Sequence, residues 1–332
     1  MHRLGNLEQR LLNDFQHDFP CVPSPYKQIA DQLYVSEESI LKSYSALMAQ
    51  GAISRIGPVF APGAVGVSTL GALAVPPEKL ESIANWISSL PETNHNYERE
   101  DRFNLWFVVT SATATQLDAL LSEISRKTEL PLLILPLIEQ FHIDLGFDMM
   151  RQRAKSLGSN NISKTLRNAP IEDLSDEQCR IIHKLQRGIP ITCRPFANLW
   201  PENPSKERET IEQILSWKRS GIIKRFGVVV RHHELGYDSN AMVVWDVPDD
   251  QVSEFGSLAA QMPEVTLCYK RPRQLPEWPY NLFCMIHGKC REEVLDRIKV
   301  LSDTTNLCNF PSKTLFSKQR FKQRGAHYVF NR

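Results

Sequence analysis

Long apolar runs are missing from this 332-residue chain: no segment reaches about 18 uninterrupted apolar residues, which excludes a helical membrane span. The start, Met1-His2-Arg3-Leu4-Gly5-Asn6, has no apolar core, so no secretory leader is expected and the chain reads as cytoplasmic. Excess charge of either sign is missing too. Lys plus Arg number 39 and Asp plus Glu 38, which leaves no net drive toward nucleic acid or an anionic membrane. Neither DNA nor a membrane is expected as a partner, and an anionic ligand must be met by a local basic cluster. Cysteine is sparse: Cys21, Cys179, Cys193, Cys268, Cys284, Cys290 and Cys308 are odd in number, scattered, and contain no Cys-x-x-Cys pair. That excludes a disulfide framework and a structural zinc site, so no metal centre is expected.

What the chain does contain is a copy of itself. Pro20, Pro25, Gly51, Arg55, Gly57 and Gly66 recur as Pro190, Pro195, Gly221, Arg225, Gly227 and Gly236, and further on Pro76 answers to Pro248 and Pro91 to Pro263. Colinearity of this length implies two homologous halves fused in tandem, pairing into a pseudo-dimer within one chain.

Each half opens with a helical module. Ser36-Glu37-Glu38-Ser39 is a helix start, with Ile40, Leu41, Tyr44, Leu47 and Met48 at helical spacing behind it and Gly51 at its end. Ile53 to Val59 then reads as the wing strand of a winged helix-turn-helix. The second copy interrupts its turn with Trp200-Pro201-Glu202-Asn203-Pro204. Ser36, Glu37, Glu38, Ser39 and the single Lys42 are a poor surface for a DNA groove, so a relic used for packing is expected.

A βαββαβ pattern follows in each half. In the first, strand residues 70–75, an amphipathic helix marked by Leu80, Ile83, Ala84, Ile87 and Leu90, two strands across 93–110, a helix marked by Leu117, Leu120, Leu121 and Ile124, and a last strand 132–142 give a ferredoxin-like order. The fold expected is therefore α+β, a tandem repeat of a winged helix-turn-helix plus a ferredoxin-like βαββαβ domain. The boundaries read as 1–62 and 63–149, a polar linker 150–173, then 174–230 and 231–317, with a basic tail 318–332.

The densest chemistry lies in Thr93-Asn94-His95-Asn96-Tyr97-Glu98-Arg99, running on through Arg102 into Leu105 to Val109. Side chains alternate along a strand, so His95, Tyr97 and Arg99 project together. The weaker copy, Leu267-Cys268-Tyr269-Lys270-Arg271-Pro272-Arg273, keeps the Tyr and the Arg but replaces the imidazole with Leu267. Imidazole, phenol and guanidinium on one face suit binding and proton transfer at a multiply anionic ligand. Cys268 faces the other way and reads as structural.

A winged helix followed by βαββαβ resembles the leucine-responsive and asparagine-operon regulators, and a ligand-sensing regulator is the alternative reading. Longer strings go further. Ile53-Ser54-Arg55-Ile56-Gly57, Asn94 to Glu100, Asn104 to Thr110, Phe141 to Phe147, Ile223 to Val229, Ala241 to Pro248 and Trp278 to Gly288 resemble the siroheme decarboxylases, in the fused two-half form of heme d1 biosynthesis. The resemblance implies conversion of siroheme to 12,18-didecarboxysiroheme with loss of two acetate carboxyl groups as carbon dioxide. No cofactor is then expected, the iron belonging to the substrate; the partners are siroheme, its products, and further decarboxylase subunits or a second copy.

Such a substrate needs an apolar slot and arginine forks. Tyr97, Arg99, Arg102, Tyr269, Arg271 and Arg273 are the expected substrate-binding residues, and His95 and His142 the expected catalytic acids. Aligning Pro136 and Phe141 with Pro311 and Phe316 sets His142 against Ser317, so both imidazoles belong to the first half and the second half's site is expected to be degenerate. His287, where the first half has Thr110, reads as structural.

Overall fold

The sheet that carries the site is woven from both halves of the chain. A computed structural model describes residues 5–143, 174–230, 239–326 and Tyr328. The expected linker 150–173, and the part of the Phe141 to Phe147 string beyond Ile143, lie outside the described residues. The first half forms α1 (Asn6–Asp14), α2 (Pro25–Leu33), α3 (Glu37–Ala49), β1 (Ile53–Phe60), β2 (Val67–Leu73), α4 (Pro77–Ser89), β3 (Thr93–Arg99), β4 (Leu105–Ser111), α5 (Ala114–Thr128), β5 (Leu132–Pro136) and β6 (Glu139–Ile143). The second half forms α6 (Asp176–Leu185), α7 (Pro195–Asn198), α8 (Lys206–Ser220), β7 (Ile223–Val230), β8 (Ser239–Trp245), α9 (Val252–Ala259), β9 (Val265–Lys270), β10 (Leu282–Gly288), α10 (Arg291–Thr304) and β11 (Ser312–Gln323). These elements fall into two units, one of helical modules and one of ferredoxin-like domains.

In the helical unit, α3 starts at Ser36, whose hydroxyl accepts from the Ser39 amide at 3.2 Å. The wing strands pair with each other: β1 runs antiparallel to β7 with Gly57 against Gly227. A Cβ at Gly227 would collide with the Phe15 and Gln16 carbonyls, so this close approach demands glycine. Basic side chains on the helices are spent on neighbouring acids, Lys42 on Glu38, Arg208 on Glu212 and Lys206 on Glu177.

The other unit is a nine-stranded sheet ordered β5-β2-β4-β3-β11-β8-β10-β9-β6. Each half contributes its four strands in the ferredoxin-like order of fourth, first, third, second. β5 and β6 stand at opposite ends of this order, yet only Leu137 and Ile138 separate them, so the sheet closes on itself. The Gln274 side chain ties the seam by bonding the Ile134 N–H (3.2 Å) and C=O (2.9 Å). Helices cover the outer face: Ala84, Ile87, Leu120 and Ile124 pack on Leu73, Leu105 and Phe107 in the first half, and Val252, Val294 and Leu301 on Val243, Trp245 and Cys284 in the second. The inner face carries an apolar layer from both halves, with Ala72, Trp106, Leu133 and Leu135 meeting Met242, Val244, Phe283 and Leu315.

Two expectations are corrected here. Residues 132–142 are not one strand, because Pro136 has no amide hydrogen to continue the ladder; β6 leaves to pair with β9 of the other half. The second half has Phe316 at that register position and runs on unbroken. Residues 318–323 are therefore not a tail: β11 pairs β8 through Phe316 and then β3 from Ser317 to Gln323. The basic run is a strand of the sheet.

Candidate active site

β3 lies between β4 and β11, and paired residues on an antiparallel ladder share a face. Tyr97 pairs with Trp106, a member of the inner apolar layer, whereas Asn96 pairs with Phe107 and donates to the Ala84 carbonyl of α4 at 2.8 Å. His95, Tyr97 and Arg99 accordingly share the inner face. The His95 and Tyr97 rings stack, with centroids 6.4 Å apart and planes 17° from parallel, and the Arg99 guanidinium sits 5.6 Å from the Tyr97 centroid.

Arg99 is 6 % exposed and reaches into the other half, donating to the Leu315 carbonyl (3.1 Å) and to Asn240 Oδ1 (3.5 Å), with Met285 Sδ at 3.8 Å. Arg271 repeats this from the other side: it lies 5.3 Å from the Tyr269 centroid and donates to the Leu135 carbonyl at 2.5 Å. Burial lowers both guanidinium groups to about 10, against an opposing pull from Tyr97 on Arg99 and from Tyr269 on Arg271. Both remain cations at neutral pH. Among the described residues neither forms an ion pair with a carboxylate, and the buried Arg271 Nε and Trp278 Nε1 make no hydrogen bond. Burial raises the Tyr97 hydroxyl, with Arg99 and Arg320 pulling it back, and raises Tyr269 well above the phenol range, so both are neutral donors.

A buried cation, Arg99, and a partly buried one, Arg271, each without an acid partner among the described residues, are costly unless an anion meets them. Around them, Trp106 and Trp278 pack at 5.2 Å between centroids, with Tyr280 and Phe283 against Trp278. This inner face sets two guanidinium groups beside an aromatic layer, a pairing of cations with apolar surface.

The remaining residues expected at the site lie elsewhere. Arg273 is bound to Asp246 and Asp249 and to the Val247 carbonyl, and exposed Arg102 pairs with Glu277; neither is a spare fork. His142 pairs with Cys268, which is in the core beneath the helices, so it is on the face opposite to the inner one. Its counterpart is not Ser317. Since Gln140 pairs with Tyr269 and Arg320 with Tyr97, the equivalent pairs are Phe141 with Phe321 and His142 with Lys322. Lys322 caps the end of α4 through the Ser88 and Leu90 carbonyls, also on the helix side. The bulge in each strand at that phenylalanine makes the matching phase hard to read from sequence.

One residue the sequence reading passed over joins the face. Arg320 stands opposite Tyr97 on β11, where the second half has Gln140 opposite Tyr269. It was hidden in the basic run taken for a tail, and alternation along that run is the signal that could have found it.

Such a closed pair of ferredoxin-like sheets with helix-turn-helix modules defines a class, that of AsnC-like ligand-binding domains. The AsnC-like ligand binding domain profile matches residues 64–142 and 234–322, and that of the siroheme decarboxylase NirDL-like HTH domain matches residues 8–53. The chain is 36% identical over 324 residues to the siroheme decarboxylase NirDL subunit of Paracoccus denitrificans, covering 97% of each. It is also similar to the crystal structure of the siroheme decarboxylase NirDL, with TM-score 0.71, 28% identity and coverage of 98% of this chain and 95% of that one. A second NirDL structure, in co-complex with an iron-uroporphyrin III analogue, matches with TM-score 0.69 at 28% identity, covering 95% and 92%. The chain belongs to the siroheme decarboxylase NirDL family.

Proposed function

We propose that this chain decarboxylates siroheme, converting it to 12,18-didecarboxysiroheme as a carbon–carbon lyase of heme d1 biosynthesis. The observation that carries this reading is the pair of guanidinium groups on an aromatic inner face, Arg99 buried and Arg271 partly buried, neither paired with a carboxylate among the described residues. A macrocycle ringed by carboxylates supplies the missing anions. The iron-uroporphyrin analogue held by the relative's structure supports a tetrapyrrole there.

The reaction asks little beyond this. An acetate C–C bond breaks, carbon dioxide leaves, and the electron pair stays on the methylene carbon, where a proton converts it to methyl. Oxidation state and atoms balance with one proton per carboxyl group, so no cofactor is invoked and the iron stays with the substrate. Arg99 and Arg271 hold the carboxylates that remain, Tyr97 and Tyr269 orient them as neutral donors, and His95 delivers a proton. The two halves act as a pseudo-dimer inside one chain, and further subunits or a second copy would add to this site rather than create it.

Anaerobically purified protein incubated with siroheme should yield pigment lacking two carboxyl groups by mass spectrometry. Recovery of unchanged siroheme with every candidate partner subunit present would overturn the proposal.

A further inference from the structure

The second half has Leu267 where the first has His95, but it is not without an imidazole on the inner face. His287 on β10 continues the alternation of Phe283 and Met285, both in the inner apolar layer, while Cys284 and Ile286 point to the helices. It pairs with Asn240 on β8. Asn240 Oδ1 accepts from Ser317 Oγ at 2.9 Å and from Arg99 Nη1 at 3.5 Å, and Ser317 pairs with Arg99. Arg99, Ser317, Asn240 and His287 thus form a continuous polar row across β3, β11, β8 and β10.

The ring is held in one orientation. Thr266 Oγ1 donates to the Met285 carbonyl, which can only accept, at 3.0 Å, and lies 3.2 Å from His287 Nδ1. With its single proton given to that carbonyl, the hydroxyl is placed to accept from the Nδ1–H of His287. At the equivalent place the first half has Asn94 donating to Thr110 at 2.6 Å, a pair with nothing to titrate. Among the described residues each half therefore contributes one imidazole to the inner face, His95 on β3 in the first and His287 on β10 in the second.

Resting on the siroheme reading above, we propose that His287 is the second proton donor of the reaction, serving one acetate while His95 serves the other. Two carboxyl groups leave and two methylene carbons must be protonated on different edges of a rigid macrocycle, which one fixed acid on a strand cannot reach without the pigment turning over. In each step the acetate C–C bond breaks and carbon dioxide leaves, the imidazolium N–H bond breaks as the new carbon–hydrogen bond forms on the methylene carbon, and a proton taken up from solvent restores the imidazolium.

The test compares His287→Gln and His95→Gln in the full chain, following siroheme under single-turnover conditions and resolving the singly decarboxylated isomers by chromatography and mass spectrometry. His287→Gln should complete one decarboxylation and slow the other by about 10²–10⁴, and His95→Gln should stop at the opposite isomer. Both variants halting at the same pigment, or His287→Gln giving the doubly decarboxylated product at the parent rate, overturns the assignment. Thr266→Val, which keeps His287 but frees its ring, should slow only the step that His287→Gln slows; equal slowing of both steps would mark a structural role instead. Failure of the unsubstituted chain to convert siroheme would count against the function itself and is read separately.

Discussion

Arg99 and Arg271 each donate to a main-chain carbonyl of the opposite half, Arg99 to Leu315 at 3.1 Å and Arg271 to Leu135 at 2.5 Å. These carbonyls are themselves equivalent, since Leu135 pairs with Leu70 on β2 as Leu315 pairs with Met242 on β8. Each half's guanidinium is thus aimed by the fourth ferredoxin-like strand of the other, Arg99 by β11 and Arg271 by β5.

Arg99→Ala or Arg271→Ala removes a charge-assisted fork, so siroheme affinity should fall by about one to two decades, roughly 1.5–3 kcal/mol. Arg102→Ala breaks only an exposed pair with Glu277 and should leave affinity and stability nearly unchanged. Titration of pigment absorbance checks both. Equal losses in all three variants would show that net charge, not the buried clamp, does the binding.

Alkaline pH should destabilise the helical unit. Burial pushes the Cys21 thiol up from 9.0 to about 11, with Lys218 opposing, and raises the Tyr26 and Tyr44 hydroxyls. The folded state then keeps protons that the unfolded chain releases, so this stabilisation is complete below pH 9 and is lost as pH rises through about 11. Melting temperatures taken at the two ends of that window should differ, the higher pH giving the lower value. A flat profile would mean that the Phe19, Tyr26 and Tyr44 cluster opens to solvent.

The alternation of His95, Tyr97 and Arg99 was legible because a strand has period two and no bulge falls among these three residues. The tandem repeat was legible because glycines recur where the backbone is crowded: a Cβ at Gly227 would collide with the Phe15 and Gln16 carbonyls, and one at Gly57 would be tight against Gly188 and Leu185. What the sequence could not supply was strand order. β11 crosses from β8 to β3, a long-range pairing with no local signature, and so Lys318 to Gln323 read as a solvated tail. The bulges at Phe141 and Phe321 change which face follows, so His142 lies on the helix side and answers to Lys322 rather than to Ser317. Arg273 looked like a fork because the acids that occupy it, Asp246 and Asp249, come from a distant loop.

Gly256→Ala should destabilise the second ferredoxin-like half. A Cβ there would overlap the Phe141 ring, by which β6 is held beneath α9. Overpacking of this kind costs about 1–3 kcal/mol, read from the shift in a urea transition. Phe141→Leu in the same chain should recover part of the loss, because the two sites share one contact. Strict additivity of the two substitutions would show that the ring and the glycine do not meet.

The two histidines singled out from sequence should now part company. His95 stacks on Tyr97 on the inner face, within the same row of strand as Arg99, so His95→Ala should lower formation of the doubly decarboxylated product by about 10²–10⁴ while siroheme still binds. Binding survives because a proton donor acts mainly in the transition state and the arginines are untouched. His142 is paired with Cys268 and faces the helices, so His142→Ala should change turnover by less than about threefold and act on stability instead. An iron ligand would give another signature, since its loss shifts the absorption spectrum of the bound pigment. Measuring product formation, pigment affinity and spectrum on both variants separates these roles. Strong loss of turnover in His142→Ala with a normal melting temperature would place the chemistry on the helix-facing side of β6 and overturn the inner-face site.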